Sequence, residues 1–252
     1  MFKRLTIFLY GVACYAVFFA TFLYAIGFIG NFAVPRTLDG APGGSFTTSV
    51  LVDLGLLGLF AIQHSVMARP VFKRWFTRLV PESAERSTYV LLSSLALIAL
   101  FAWWQPLGGM VWAATDATLR GVLWGAFAFG WLLVLVSTFL INHFDLFGLR
   151  QVWLQLIGRP YTHLPFRTPG PYRYVRHPLY VGWLFVFWAT PTMTLSHLLF
   201  AVMTTAYILI AIQFEERDLA DALPEYRAYR EEVPMIVPFT RKRFDDRAFI
   251  RR

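Results

Sequence analysis

Five apolar stretches run through this sequence almost without charge, each about 18 residues or longer once the looser ends of the third are allowed. They cover Leu5 to Gly30, Val50 to Met67, Tyr89 to Trp104, Gly121 to Ile141 and Leu198 to Phe214. A helix rises about 1.5 Å per residue, so each is long enough, or nearly so, to cross roughly 30 Å of hydrocarbon. Backbone polar groups in lipid must be paired within their own segment, which leaves such stretches one local structure, the helix. The sequence therefore predicts an all-α, polytopic membrane helix bundle of five transmembrane helices. Composition agrees: 57% of residues are hydrophobic and 15% charged, too apolar for a soluble domain. A sixth run, Leu179 to Ala189, stops short of Pro191. At roughly 17 Å of helix it predicts a short C-terminal hairpin segment that packs within the protein or tilts up from the interface.

The first run follows Lys3 and Arg4, yet its apolar core is about twice a signal-peptide h-region, so it is read as a retained helix. Cys14 is the single cysteine, which excludes a disulfide within the chain and a cysteine metal cluster. The histidines do not fall at ligand spacings, so no metal is expected.

Basic residues alternate between connections: five Lys or Arg lie between Ala68 and Ser87 and five between His143 and Pro178, against one in each of the segments 31–49 and 105–120. By the positive-inside tendency, both termini and the two basic loops face the cytoplasm. The net charge of +8 is thus topology and membrane anchoring. No stacking platform or folded nucleic-acid module accompanies it, so nucleic acid is not an expected partner, whereas the lipid bilayer is. The chain is expected to be a single membrane domain. Residues 1–142 would be scaffold, 143–238 the functional half, and 239–252 a basic tail on the anionic inner leaflet. The 31–49 connection, rich in Pro and Gly, is expected to be flexible.

Polar function concentrates at a few places. Gln63 and His64 sit at the end of the second apolar run, where they either hydrogen-bond a neighbouring helix or line a site. His143 and Asp145 flank Phe144 just past the fourth run. They either cap that helix or, turned into one cavity, form a proton-accepting pair in which the carboxylate raises the imidazole pKa and fixes its tautomer. The stretch from Arg167 to Trp183 is broken by Pro169, Gly170 and Pro171, so it is not expected to be helical before Pro178, which suits a helix's first turn. Arg173, Arg176 and His177 project from this stiff loop. Some thirty residues on, Glu215 and Glu216 are expected where a helix ends. Adjacent carboxylates repel, so they call for a cation, supplied either by an arginine of the loop or by a bound ligand.

The Arg-His-Pro-Leu-Tyr-Val-Gly string at Arg176 to Gly182, the Glu215-Glu216 pair, Pro224-Glu225-Tyr226-Arg227-Ala228-Tyr229, and Val233 to Pro238 together resemble the C-terminal half of the isoprenylcysteine carboxyl methyltransferase superfamily. Gln63-His64-Ser65, Glu85-Arg86-Ser87 and Asn142 to Trp153 are similar to its bacterial thiol-methylating members. The resemblance implies a membrane enzyme that uses S-adenosyl-L-methionine. Its cofactor site would comprise Arg173, Tyr174, Arg176, His177, Pro178, Tyr180, Gly182, Glu215, Glu216, Tyr226 and Tyr229. Arg176 and His177 would stand toward the cofactor carboxylate, the two glutamates toward its amino group or ribose, and the tyrosines would form walls. Gln63, His64, Asn142, Phe147 and Arg150 would bind the acceptor, with His143 and Asp145 catalytic. The implied reaction is methylation of a small thiol, most simply methanethiol to dimethyl sulfide, at the cytoplasmic face of a bacterial inner membrane. A larger lipid or isoprenylated acceptor, a non-catalytic subunit, or a relative of the sterol reductases, which share an Arg-His-Pro stretch, are the alternatives.

Overall fold

The computed structural model describes residues 1–240; the basic tail lies, from Arg241 on, outside the described residues. Among the described residues five helices are long and apolar enough to cross a membrane: α1 (Phe2–Gly30), α2 (Phe46–Ala68), α4 (Glu82–Trp103), α5 (Ala117–Ile141) and α9 (Leu195–Ala222). Between and after them lie α3 (Pro70–Phe76), α6 (His143–Leu146), α7 (Leu149–Leu156), a 3₁₀ turn (Gly170–Arg173), α8 (Pro178–Trp188) and α10 (Pro224–Glu232). Two short strands, β1 (Met110–Ala113) and β2 (Thr192–Thr194), pair antiparallel. The protein is a multi-pass membrane protein.

The spanning helices outrun the apolar runs that announced them, because caps set helix ends and hydropathy does not. Ser45 accepts the N–H of Thr48 and starts α2 ahead of Val50. Asp116 accepts the N–H of Leu119 and starts α5 ahead of Gly121. Glu82 and Glu85 occupy the first turn of α4, where carboxylates suit the positive end of the helix dipole. The largest extension corrects an expectation. α9 does not end at Phe214 but continues to Ala222, so Glu215 and Glu216 lie inside a helix. Glu-Glu-Arg-Asp-Leu-Ala-Asp-Ala contains no glycine or proline to stop it, and the break comes with Pro224 at the start of α10.

Contacts divide the described chain into two compact units. The first comprises Met1–Ala114, Phe144–Thr162 and Pro191–Met203. In it α1 packs on α4 and α7, and α2 packs on α4. Gly11 of α1 admits Val152 of α7, whose methyl lies 2.6 Å from where a Cβ would stand. Gly148, at φ 87°, lets the chain lie against the Ser87 backbone, 2.7 Å from that same construction. The 31–49 connection is tied down where a flexible loop was expected. Leu38 is fully buried, its carbonyl accepts from the Trp104 indole, and Asp39 receives Asn31 and Thr194 and lies 3.3 Å from His197.

The second unit comprises Thr115–His143, His163–Thr190 and Thr204 onward. Its axis is the antiparallel pair α5 and α8. Gly130 meets Gly182, Phe185 and Val186, while Gly182 meets Gly130 and Val134. Two glycines opposed at one crossing let the helix backbones touch, a packing mode suited to helices in lipid. β2 follows α8 by three residues and pairs with β1, which precedes α5 by three residues. The sixth apolar run is therefore a short helix, and the paired strands belong to the first unit.

Candidate active site

In the second unit the proline-broken loop delivers two basic side chains to one carboxylate. Pro169 is extended, Gly170 adopts φ 53°, and the expected non-helical stretch contains a single 3₁₀ turn before His177 caps α8 at Pro178. The N–H groups of Arg176 and His177 donate to the carbonyls of Pro234 and Met235, which docks the chain after α10 against the loop. Arg176 Nε donates to Glu216 Oε1 at 2.6 Å and His177 Nε2 reaches the same oxygen at 2.9 Å. Arg230 Nε stands 3.3 Å from Glu216 Oε2, and Arg176 Nη1 donates to the carbonyls of Arg230 and Val233. Arg176, His177 and Glu216 are all buried. Glu216 meets both basic side chains, so this trio is a clamp joining α8, α9 and α10.

Glu215, the neighbouring acid, is differently placed. It is half-buried and receives the Tyr180 hydroxyl at 2.9 Å. Around this part of the unit lie buried hydroxyls without a hydrogen bond of ordinary geometry: Ser137, Thr168, Tyr172 and Tyr226. Tyr172 faces Ser137 at longer range and feels the Glu215 charge; Tyr226 likewise faces Arg176. Burial pushes both phenols well above their usual range, so both stay protonated donors. Tyr229 donates to the Tyr172 carbonyl at 2.6 Å and stacks edge-on with Phe166 and Tyr226. Buried polar groups normally have partners, and a cluster lacking them calls for a polar ligand. One accessible carboxylate, several donor hydroxyls and aromatic walls fit a ligand carrying an ammonium, a carboxylate and a ribose.

His143 belongs to the same unit. α5 ends at Ile141, Asn142 turns the chain at φ 134°, and His143 is folded back, buried, on the last turn of α5. Its ring stacks on Phe139 with centroids 4.3 Å apart, and Nδ1 lies 2.9 Å from Thr138 Oγ1. The Thr138 hydroxyl donates to the Leu135 carbonyl at 2.7 Å, so its single proton is committed. His143 Nδ1 must then be the donor, which leaves Nε2 as the lone-pair nitrogen. Thr138 thus supplies the tautomer restraint expected from Asp145. The pKa also moves opposite to the expectation: burial pushes His143 below the ordinary imidazole value, which keeps it neutral.

Asp145 falls in the first unit, where it receives Arg150 at 2.9 Å and the Tyr161 hydroxyl at 3.3 Å. Arg150 also donates to Thr162 and lies over the Tyr161 ring. Elsewhere in this unit Gln63, His64 and Phe147 share one seam. His64 stacks between Phe60 and Tyr89 and contacts the Ser93 hydroxyl at 3.1 Å. Gln63 donates to Met67 Sδ, and Met67, Tyr89 and Val90 form a core on which Phe147 and Phe18 pack.

Three expected cofactor residues have other occupations. Gly182 serves the α5–α8 crossing, Tyr174 is exposed against Phe239, and Arg173 Nε donates back to the Thr168 carbonyl of its own loop. Sequence reasoning missed Ser137, Thr138, Thr168 and Tyr172. Thr168 and Tyr172 stood inside the conspicuous loop; Ser137 and Thr138 are hydroxyls of a membrane helix, for which the bland reading is a backbone hydrogen bond.

A family model described as phospholipid methyltransferase matches residues 125–224, the span from α5 through α9. The chain is 56% identical over 242 residues to a methanethiol S-methyltransferase of Crocosphaera subtropica, covering 96% of this chain and 95% of that protein. It is 54% identical to a protein of the same name from Mycobacterium tuberculosis, covering 94% and 98%, and 52% identical to methanethiol S-methyltransferase 2 of Bradyrhizobium diazoefficiens, covering 98% and 96%. No solved structure matches the chain.

Proposed function

The chain belongs to the methanethiol S-methyltransferase family, and from that premise we propose that it transfers the methyl group of S-adenosylmethionine to methanethiol, releasing dimethyl sulfide. The observation that carries the cofactor assignment is the pair of buried phenols, Tyr172 and Tyr226, that lack a hydrogen bond of ordinary geometry and feel the Glu215 charge. Glu215 would receive the cofactor's ammonium, Tyr172 and Thr168 would donate to its carboxylate, and Tyr180, Tyr226 and Tyr229 would wall the site. The Arg176–His177–Glu216 clamp positions these groups by holding α8, α9 and α10 together.

When bound, the cofactor supplies an electrophilic methyl carbon on a cationic sulfur. The protein must present a thiolate in line with that carbon and keep water away. Opposite charges vanish as the methyl moves, so a dry, low-dielectric site favours the transition state over the separated ions. His143 Nε2 takes the thiol proton, leaving the electron pair of the S–H bond on the attacking sulfur. Its depressed pKa suits a base that must be unprotonated before the thiol arrives. An acceptor-side role for Gln63, His64, Asn142, Phe147 and Arg150 rests on the family resemblance alone, and the charge distribution of the loops supports a reaction on the cytoplasmic face.

Detergent-solubilised protein given S-adenosylmethionine and methanethiol tests this by headspace gas chromatography. Dimethyl sulfide from the wild type, with Glu215→Gln weakened in cofactor binding, is the expected result. Cofactor binding without dimethyl sulfide would shift the acceptor to a larger molecule. Binding of a nicotinamide cofactor instead would end the methyltransferase reading.

A further inference from the structure

In the second unit α5 turns one stripe of its surface toward α8. Gly130 and Val134 meet Gly182 across the crossing, and Ser137 stands one turn further along that stripe, toward the end where α8 begins at Pro178. The loop before α8 lies against this end of α5: a Cβ on Gly170 would come within 3.3 Å of Leu140. Ser137 is fully buried, and its hydroxyl has no hydrogen bond of ordinary geometry. A buried hydroxyl in a helix has a ready partner in the carbonyl three or four residues back. Thr21 and Ser94 use theirs at 2.7 and 2.8 Å, and the neighbouring Thr138 uses that of Leu135 at 2.7 Å. Ser137 makes no such bond and faces the Tyr172 hydroxyl instead.

The groups around Ser137 follow one another in space. The Glu215 charge acts on Tyr172, Tyr172 faces Ser137, and Thr138, next along the helix, holds His143 Nδ1 at 2.9 Å. Tyr172, Tyr180 and Glu215 keep part of their surface exposed, which gives a ligand a way in. S-adenosylmethionine has a matching covalent order. Its ammonium and carboxylate are followed by two methylenes, then by the sulfonium and its methyl, beyond which a thiol and its base must stand in line. With the ammonium at Glu215, the carboxylate at Tyr172 and the base at His143, the place left to Ser137 is beside the sulfonium. The polarity of the hydroxyl fits that place. Its one proton can go to Tyr172 Oη, which leaves the Tyr172 proton for the carboxylate and two serine lone pairs for a cation. Carbon–hydrogen bonds next to a positive sulfur are polarised and act as weak donors to such an oxygen.

We infer that Ser137 Oγ contacts the sulfonium of the methyl donor and lets the protein distinguish that charged donor from the neutral thioether left after transfer. The inference rests on the methyltransferase reading above and adds the residue that responds to the state of the cofactor's sulfur. S-adenosylhomocysteine retains the ammonium, the carboxylate and the nucleoside, so a preference for the donor over this product must come from contacts at the sulfur.

Isothermal titration of S-adenosylmethionine and of S-adenosylhomocysteine, without thiol, into detergent-solubilised wild type, Ser137→Ala, Ser137→Cys and Tyr172→Phe tests this. Ser137→Ala should raise the S-adenosylmethionine dissociation constant about fivefold, the equivalent of one weak polar contact, and leave that of S-adenosylhomocysteine within about twofold. Ser137→Cys, close in volume and a poorer acceptor, should move the ratio of the two constants in the same direction by less, and it guards against misfolding of the alanine variant. Tyr172→Phe should weaken both ligands alike, because both carry the carboxylate. Equal losses for the two ligands in Ser137→Ala, no loss for either, an unchanged ratio in Ser137→Cys, or a Tyr172→Phe that separates the two ligands overturns the inference and leaves the function standing. A wild type that binds neither ligand overturns both.

Discussion

Arg176 Nε donates to Glu216 Oε1 at 2.6 Å, with both side chains buried. The glutamate that reads as a ligand-binding partner of Glu215 is thus already neutralised by the protein, and the proposed ligand contact falls to Glu215. Two adjacent carboxylates on one helix have separate duties because successive side chains diverge by about 100° around the axis.

That division predicts opposite phenotypes. Glu216→Ala leaves Arg176 and His177 buried without their acid and should cost about 3–5 kcal/mol of stability, seen as a large drop in the unfolding temperature of detergent-solubilised protein. Glu215→Gln should leave the unfolding temperature within a degree or two and lower S-adenosylhomocysteine affinity at least tenfold.

Thr138 fixes the imidazole of His143 with Nδ1 as donor. Thr138→Val removes the hydroxyl at nearly constant volume, so kcat should fall about tenfold, in the range of general-base contributions, with the cofactor dissociation constant unchanged. Thr138→Ser should restore most of the rate, which a purely volumetric role for Thr138 would not explain.

The pH dependence of His143 follows from the sign of its shift. Burial lowers the folded-state pKa, so folding favours the neutral ring. This contributes stability that is fully present above the ordinary imidazole value and is lost as pH falls through the depressed one. The acid limb of kcat/KM should therefore lie below the ordinary imidazole value, and it should vanish in His143→Gln along with most of the activity.

Gly182→Ala places a Cβ 2.8 Å from the Gly130 carbonyl oxygen and 2.9 Å from the Val134 nitrogen. Backbone atoms in the middle of a helix cannot step aside as a side chain does. The substitution should cost about 1–3 kcal/mol or more, read as a lower unfolding temperature, with cofactor affinity falling because the α5–α8 pair is displaced. Retained stability would return Gly182 to the list of ligand-facing residues.

The five spanning helices, the short sixth segment and the cluster of arginine, histidine and glutamate around residues 173–216 are all legible in the sequence, because lipid leaves an apolar run one backbone solution and makes each buried charge conspicuous. What the sequence does not contain is direction. Whether Arg176 faces Glu216 or a ligand, whether His143 leans on Asp145 or on Thr138, and whether Gly182 approaches a cofactor or Gly130 depend on where helices far apart in the chain cross. Helix ends show the same limit on a smaller scale. Hydropathy placed the end of α9 at Phe214, whereas helix propensity carried it to Ala222, and that extension is what gives Glu215 and Glu216 different faces. Residue type and spacing determined the membrane class and the kinds of groups in the site. Tertiary packing decided which charges cancel each other and which stand ready for a ligand, because an ion pair is a property of two positions in space.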